Sequence, residues 1–355
     1  MTHPAKPDAL WYTRCSIPTP LGIGAQLGWY QDEFAPDGIA IKSLQESDNP
    51  VELASHFEHS LPHSFRLGGS VPAIWTRARG QQTRVIGISW IDEYQAIIAL
   101  PESGIRTVKD LHGRKLGLPL RSQRNDSVDV ARATALRGLL LALELAGLGY
   151  GDAEWVDVAS SYPPLDRQDI QAPDTAVRKR RVHSYTAVAL ALARGEVDAI
   201  YVKDVRGAET AHLLGARVVA DLGFHPDPYF HVNNSTPRPL TVNAQTLRKH
   251  PDLVQRFLAR VKDVGVWARQ TPPEAVIRQI AEETNWTESW VRFAYGDTVQ
   301  QSLGIDLSER SIAGLEVFKD FLLAWGFIQH DFSIRDWIDP QPLATLGQSI
   351  QARAA

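Results

Sequence analysis

Short apolar runs alternate with amphipathic stretches along most of the chain. Apolar and β-branched runs bounded by turn residues predict buried strands, expected at 9–12, 39–44, 83–88, 95–100, 115–118, 154–158, 197–201 and 216–220. Periodic stretches between them predict helices, the clearest at 128–146 and 185–193. Strands that alternate with helices in this way are typical of an α/β protein.

The pattern changes after residue 241, where amphipathic helices dominate. One helical face repeats at i, i+3 and i+4 through Leu253, Phe257 and Val261. We therefore expect the last hundred residues to be mostly helical. The stretch 160–173 is rich in Pro, Asp, Gln and Ser and predicts a surface loop. The basic run at 178–181 after it predicts a solvated loop edge, the alternative being a patch for an acidic partner.

Composition narrows the class of ligand and the compartment. The 355 residues carry 37 Lys and Arg against 41 Asp and Glu, a net charge of −4, which offers no broad surface for nucleic acid and favours a small ligand. A single cysteine cannot form an intrachain disulfide and fits a reducing compartment. Neither a secretory leader nor a membrane span is visible. We expect a cytoplasmic protein that binds no membrane.

The single cysteine, Cys15, follows the strand predicted at 9–12 and precedes a turn rich in proline. Strand ends are where α/β proteins place their chemistry. A lone cysteine with a suitable histidine elsewhere is a candidate nucleophile. The alternative is a buried thiol that packs as a small hydrophobe.

A second segment, 56–72, combines histidines, one arginine and two adjacent glycines. Arg66 offers a planar set of donors that matches carboxylate, sulfinate or sulfonate. Gly68 and Gly69 allow the backbone to approach such an anion. Ser70, followed by a proline, predicts a helix start as the capping residue. The alternative for Arg66 is an ordinary surface arginine before a glycine turn.

The histidines of the same segment raise the question of a zinc site. His56, His59 and His63 lie three and four residues apart, a spacing that metal ligands use on helices. Pro62 disrupts the helix that would align the last two, and no fourth ligand is evident. We expect no metal here.

These motifs resemble those of the hydroxybiphenyl sulfinate desulfinases of dibenzothiophene desulfurisation. The family's Cys-x-x-Pro after the first strand matches Cys15–Pro18. Its His-Phe, with Arg ten and Gly thirteen positions after the histidine, matches His56, Arg66 and Gly69. Four further segments are similar to segments of the desulfinases: Asp110–Gly117, Gly195–Ala199, Pro251–Arg256 and Trp267–Arg269. The two later ones are also common in sulfonate and nitrate solute-binding proteins and support the fold only.

The resemblance implies a type II periplasmic-binding-protein-like fold, with two βαβ lobes around a central cleft and a helical C-terminal extension. Lobe 1 would comprise 1–100 and 221–355, and lobe 2 would comprise 101–220. It also implies a hydrolase without cofactor or metal that cleaves the C–S bond of an aryl or related sulfinate and releases sulfite. We expect a monomer whose only partner is its small-molecule substrate.

The resemblance also implies roles for individual residues. Arg66 would hold the sulfinate oxygens, and the amides of Gly68 and Gly69 would share the charge. Cys15 would either protonate the carbon as a general acid or attack sulfur as a thiolate. His56 would orient the thiol or restore its proton in the first route, and would act as the base in the second.

Two residues complete the expected substrate site. Ser70 would contribute at the helix start. Trp90 follows a predicted strand, where it would stack on an aromatic substrate or, alternatively, pack in the core. Where the family has aromatic residues, this chain has Lys203 and Asp204. If these two side chains faced the substrate, they would favour a smaller or more polar sulfinate. We expect instead that both point to solvent.

Two other functions share the fold. A solute-binding protein for sulfonates or similar anions would bind without catalysis, and the Cys15, His56 and Arg66 set argues for the enzyme instead. A pyrimidine-precursor synthase of the thiamin pathway would need a cysteine-rich motif and a lysine for pyridoxal phosphate. Neither feature is evident in the sequence.

Overall fold

The structure is a computed structural model that describes residues 5–15, 17–120, 127–159 and 185–346. The loop predicted at 160–173, the basic run at 178–181 and Ser16 lie outside the described residues. The chain divides into two compact units, Met1–Glu93 with Pro226–Ala355, and Tyr94–His225. No helix in the described ranges is both long and apolar enough to cross a bilayer.

The first unit is built on a five-stranded mixed sheet. Its strands are β1 (Ala9–Tyr12), β2 (Ala40–Ser43), β3 (Ser64–Leu67), β4 (Thr83–Ser89) and β10 (Arg238–Asn243), in the order β2-β1-β3-β10-β4. β1 pairs in parallel with β2 and β3, whereas β10 is antiparallel to β3 and β4. Strands β1 and β3 therefore run side by side in the same direction, and the segments that follow them emerge at one edge of the sheet.

Helices of the first unit cover this sheet and form the C-terminal part of the chain. They are α1 (Pro20–Gln26), α2 (Trp29–Phe34), α3 (Pro50–Glu58), α4 (Ser70–Ala78), α8 (Ala244–Lys249), α9 (Pro251–Gln270), α10 (Pro273–Thr284), α11 (Glu288–Tyr295), α12 (Glu309–Ala324) and α13 (Ile334–Trp337). The helical C-terminal region is as predicted.

The second unit repeats the sheet arrangement of the first. Its strands are β5 (Gln95–Ala99), β6 (Lys115–Leu120), β7 (Glu154–Ala159), β8 (Ala199–Lys203) and β9 (Arg217–Asp221), in the order β7-β6-β8-β5-β9. β6 pairs in parallel with β7 and β8, and β5 is antiparallel to β8 and β9. Its described helices are α5 (Val130–Leu145), α6 (Thr186–Ala193) and α7 (Asp204–Leu213).

The α/β prediction is confirmed, with element boundaries that differ by one or two residues from those expected. Two strands, β3 and β10, were not among those predicted. The expected lobe boundary at residue 100 also assigns 95–100 to lobe 1, whereas β5 lies in the sheet of the second unit. The apolar pattern of 95–100 identifies a buried strand. It holds no information on which sheet supplies the hydrogen-bond partners.

An aromatic stack packs α9 against one face of the first sheet. The ring of Phe257 lies 4.5 Å from the ring of Tyr30 and 3.8 Å from that of Phe65, nearly parallel to both. All three side chains are fully buried. The predicted apolar face of α9 thus packs under β3, which fixes the strand at the residue immediately before Arg66.

Candidate functional site

Cys15 lies just beyond β1, where the chain leaves the sheet. The side chain is half-buried, and its thiol donates to the carbonyl of Leu67 with an Sγ–O distance of 3.7 Å. Thr19 caps the next helix, α1: its side chain accepts from the Gly22 amide, and Pro20 is the first helical residue. The sequence thus holds Cys15 between a strand end and a capped helix.

Thr13 joins the ends of β1 and β3. Its hydroxyl accepts from the amide of Leu67 at 3.0 Å and donates to the carbonyl of the same residue at 3.3 Å. The Thr13 amide donates to the Phe65 carbonyl at 3.1 Å. These bonds fix the Leu67 carbonyl that the Cys15 thiol contacts. Thr13 was not identified from the sequence, because a threonine at the end of a strand is common.

Arg66 points inward from β3 and is only 1% exposed. Its Nε donates to the carbonyl of His56 and its Nη2 to the carbonyl of Gly69, both at 3.0 Å. Its Nη1 is buried and has no hydrogen-bond partner among the described residues. Burial lowers the pKa of Arg66 to about 10, so the group is charged at neutral pH.

Cys15 and Arg66 converge on Gly68. A β-carbon added to Gly68 would lie 3.0 Å from Cys15 Sγ and 3.6 Å from Arg66 Nη2. The thiol and the guanidinium therefore share one small space that only a residue without a side chain leaves open. The structure thus brings together three of the residues that the motifs identified.

Alanine at position 68 is expected to displace the thiol or the guanidinium. For the sulfinate cleavage that the resemblance implies, we expect Gly68→Ala to lower kcat/KM about a hundredfold, because a shift near 1 Å in a reacting group has that effect. Gly151→Ala is the matched control, since a β-carbon there meets nothing within 4 Å. Equal activities for the two variants in a sulfite-release assay would contradict this geometry.

Asn234 caps the helix that follows the two glycines. Its backbone carbonyl accepts from the amide of Ser70 at 2.6 Å and from the hydroxyl of Ser70 at 3.0 Å, and its side chain accepts from the Val71 amide at 2.9 Å. The helix begins at Ser70 as predicted, but Gly69 occupies the cap position. The prediction of Ser70 as the capping residue was therefore wrong: its hydroxyl donates instead of accepting. Its amide and hydroxyl are already bonded to Asn234.

His56 lies on α3 and is held through its ring. Nδ1 lies 2.7 Å from Nε2 of Gln45, whose Oε1 accepts from the amide of Arg14 at 2.6 Å. Burial, followed by the charge of Arg66, lowers the pKa of His56 to about 3. Gln45 thus connects the ring of His56 to the backbone one residue before Cys15. Gln45 could not be identified from the sequence, because only its position just after β2 distinguishes it from other glutamines.

His59 and His63 have contacts within the protein. His59 is buried and lies 3.2 Å from the Ser64 carbonyl through Nε2 and 3.1 Å from the Thr241 hydroxyl through Nδ1. His63 packs against the ring of His250. Among the described residues no group of three or more His, Cys, Asp or Glu side chains could hold a metal ion.

The buried His59 is expected to make stability depend on pH. Burial lowers its pKa from the ordinary 6.5 to about 4, so between these values the unfolded chain binds more protons. Its contribution is complete above pH 6.5 and falls by up to about 1.4 kcal/mol per pH unit as the pH drops to 4. The free energy of unfolding, measured with urea at several pH values from 4 to 7, should depend less steeply on pH in His59→Asn than in the exposed control His112→Asn. An equal pH dependence in the two variants would contradict the lowered pKa of His59.

Trp90 is held by its own neighbours. Its Nε1 donates to Asp92 at 2.9 Å, and the guanidinium of Arg310 lies over its ring at 4.2 Å. A β-carbon on Gly314 would lie 2.8 Å from the ring. Asp92 also lies 2.7 Å from Nδ1 of His231. These contacts place Trp90 against α12.

Two ion pairs anchor the segment around Cys15. Arg14 binds the buried carboxylate of Glu283 through Nε at 3.1 Å and Nη2 at 2.7 Å, which ties the end of β1 to α10. Arg238 binds Glu93 at 3.0 Å and reaches the carbonyl of Pro18 at 3.5 Å. A single sequence contains no pairing information over such separations, so neither anchor was predicted.

Lys203 and Asp204 lie in the second unit, at the end of β8 and the start of α7. Their side chains are only 12% and 15% exposed and form an ion pair at 3.6 Å. The prediction that they face solvent was wrong, because the two opposite charges compensate each other at a largely buried strand end.

Comparison with known proteins supports the resemblance that the motifs suggested. No protein-family model matches the chain. The chain is 29% identical to the 2'-hydroxybiphenyl-2-sulfinate desulfinase of Rhodococcus erythropolis, across 94% of this chain and 92% of that protein. The resemblance to the desulfinase is thereby confirmed.

Solved structures agree with this result. A crystal structure of a cysteine-to-serine mutant of DszB in complex with biphenyl-2-sulfinic acid matches with a TM-score of 0.71 and 26% identity, across 95% of this chain and 98% of that one. A putative periplasmic sulfonate-binding protein, SsuA of Methylobacillus flagellatus KT, matches with a TM-score of 0.69 and 15% identity, across 97% and 94% of the two chains. The type II periplasmic-binding-protein-like fold is confirmed.

Proposed function

We propose that this chain is a desulfinase that cleaves the C–S bond of an aryl sulfinate and releases sulfite. The observation that carries the proposal is the buried guanidinium of Arg66, whose Nη1 has no partner among the described residues, beside the thiol of Cys15. The similarity to 2'-hydroxybiphenyl-2-sulfinate desulfinase supports the same activity.

Arg66 would bind the sulfinate group. A buried cation is costly unless an anion or other acceptors compensate it. Its contacts here are two backbone carbonyls, which are neutral, and Nη1 remains available. A sulfinate oxygen at Nη1 would supply the missing acceptor and a negative charge together, in a charge-assisted hydrogen bond.

Backbone amides would share the charge of the bound anion. Asn234 occupies the amides of Ser70 and Val71. The amides that remain beside Arg66 are those of Gly68 and Gly69, for which the described residues provide no hydrogen-bond partner. Donors fixed in this way stabilise charge that develops on oxygen during the reaction.

Cys15 would act on the carbon or on the sulfur of the substrate. In the first route the thiol proton goes to the carbon, the electron pair of the C–S bond stays with that carbon, and sulfur dioxide leaves and adds water to give hydrogen sulfite. A proton released in that step restores the thiol. In the second route the thiolate bonds to sulfur, the leaving carbon takes the thiol proton, and water then cleaves the new S–S bond.

The remaining parts of the proposal follow from this chemistry. Both routes consume only sulfinate and water, so the hydrolase would need no cofactor. The thiol of Cys15 must stay reduced, which favours the cytoplasm.

A non-catalytic binding protein for sulfonates is the second candidate, because the fold is shared with sulfonate-binding proteins. The two functions differ in what happens to a bound sulfinate. A binding protein returns it unchanged, whereas a desulfinase converts it into arene and sulfite.

The proposal is tested with biphenyl-2-sulfinate and the corresponding sulfonate. We expect sulfite and biphenyl to form in equal amounts from the sulfinate, and no product from the sulfonate. Binding of both compounds without any product, across a panel of aryl and alkyl sulfinates, would favour the binding protein and overturn the proposal.

A further inference from the structure

The side chain of Gln45 spans the space between the Cys15 segment and His56. Its Oε1 lies 2.6 Å from the backbone nitrogen of Arg14, and its Nε2 lies 2.7 Å from Nδ1 of His56. Gln45 lies in the short turn after β2, the strand that pairs with β1. One amide group thus contacts both the backbone next to the thiol and the imidazole.

The partners of this amide determine its orientation. The backbone nitrogen of Arg14 can only donate, so the atom that faces it must be the oxygen of Gln45. The NH₂ group of Gln45 then faces the imidazole, and because this group can only donate, Nδ1 of His56 must accept. A neutral imidazole that accepts at Nδ1 has its proton on Nε2.

We propose that Gln45 is a positioning residue that holds His56 in the neutral form protonated on Nε2, so that His56 serves the site as a hydrogen-bond donor and not as a base. This inference deepens the proposed desulfinase function and rests on it for its role in the reaction. It assigns a single protonation state to a histidine whose role the sequence left open between base, proton carrier and orienting group.

The charges around His56 favour the same state. Burial, as the main cause, and the cation of Arg66 on β3 together lower the pKa of His56 to about 3. Glu46, beside Gln45, binds Arg14, which Glu283 on α10 also holds. Glu52, one turn before His56 on α3, accepts from the hydroxyl of Ser47. Glu46, Glu52 and Glu283 thus have partners other than the imidazole of His56.

This state limits the chemistry available to His56. A base that deprotonates Cys15 needs a free lone pair, but Nδ1 is engaged with Gln45 and Nε2 has a proton. The Nε2–H group can instead stabilise negative charge on a sulfinate oxygen or on sulfur. No proton moves to or from His56 in either route, so the thiol proton is transferred between Cys15, the substrate carbon and water.

The test is NMR on protein labelled with ¹⁵N-histidine, with His56→Asn used to assign the signal. We expect His56 to show the neutral Nε2–H tautomer throughout pH 5 to 8.5. In Gln45→Glu the carboxylate still accepts from Arg14 but cannot donate to Nδ1, so we expect a proton on Nδ1 and titration of His56 within this pH range. Gln26→Glu is the matched control, since Gln26 also accepts from Arg14 but is exposed.

Kinetics supply a second readout. Gln45→Glu should add an ionisation of His56 to the pH profile of kcat/KM between pH 5 and 8, and Gln26→Glu should not. A wild-type His56 that titrates in this range, or that holds its neutral proton on Nδ1, would overturn the proposal, even if Gln45→Glu failed to fold. The wild-type NMR result does not depend on turnover. Absence of sulfite release would therefore overturn the desulfinase function and leave the assigned tautomer standing.

Discussion

Replacing Cys15 by serine is expected to lower kcat for sulfite release at least about a thousandfold while an aryl sulfinate still binds. Serine preserves the size of the side chain and its place between β1 and α1. A hydroxyl is, however, a far weaker acid and a far poorer nucleophile than a thiol, so both proposed routes are blocked. Calorimetric titration should give a Kd for biphenyl-2-sulfinate within a few-fold of the wild-type value.

This variant separates the enzyme from the binding protein. Because Cys15 is the only cysteine in the chain, no other thiol can replace it. Turnover near the wild-type rate in Cys15→Ser would exclude Cys15 both as the acid and as the nucleophile. Loss of binding together with turnover would show that the thiol holds the substrate and does not act on it.

Replacing Arg66 by lysine should lower kcat/KM roughly 10²- to 10³-fold. Lysine keeps the positive charge but has a single donor nitrogen at the end of a flexible chain. That nitrogen cannot reach the carbonyls of His56 and Gly69 and bind a sulfinate in the geometry of the guanidinium. We expect most of the loss in KM, because the missing contact is made to the substrate before the reaction as well as during it.

Arg84→Lys on the adjacent part of the same sheet is the matched control. Arg84 donates to the carbonyl of Thr83, and we expect no change in kcat/KM from its replacement. Circular dichroism at the assay temperature verifies that both variants are folded. A kcat/KM for Arg66→Lys within twofold of the wild-type value would refute the role of Arg66 in anion binding.

The elements of the fold could be predicted because their signals are local. The apolar face of α9, from Leu253 to Val261, is buried along its whole length. The strand runs lie within two residues of β2, β4 and the other predicted strands. Strand pairing could not be predicted in the same way, which is why β5 was placed with the wrong sheet.

The residues of the candidate site could likewise be predicted only where their signals are local. Cys15, Arg66 and Gly68 follow or end neighbouring parallel strands, so the topology alone brings them to one edge of the sheet. Asn234 reaches Ser70 from 164 positions away, and no periodicity in one sequence connects the two. The assignment of Ser70 as a cap failed for this reason: a backbone carbonyl from a distant loop takes its hydroxyl.

The protonation state of His56 could not be predicted, because it depends on hydrogen bonds that connect Arg14, Gln45 and His56. Its spacing from Arg66 marked it as a member of the site, but spacing does not determine which ring nitrogen has the proton. That information comes from Gln45, because the amide of Arg14 determines which way the Gln45 side chain is oriented.

Alkylation of the single thiol tests most directly whether Cys15 and Arg66 form one sulfinate site. The rate of reaction of iodoacetamide with Cys15 is measured by mass spectrometry at increasing concentrations of biphenyl-2-sulfinate, in the wild-type protein and in Arg66→Lys. We predict that the sulfinate slows alkylation at least about tenfold, with half-protection near the KM, and that Arg66→Lys needs far more sulfinate for the same effect. An alkylation rate that stays unchanged at a sulfinate concentration that saturates turnover would contradict a shared sulfinate site of Cys15 and Arg66.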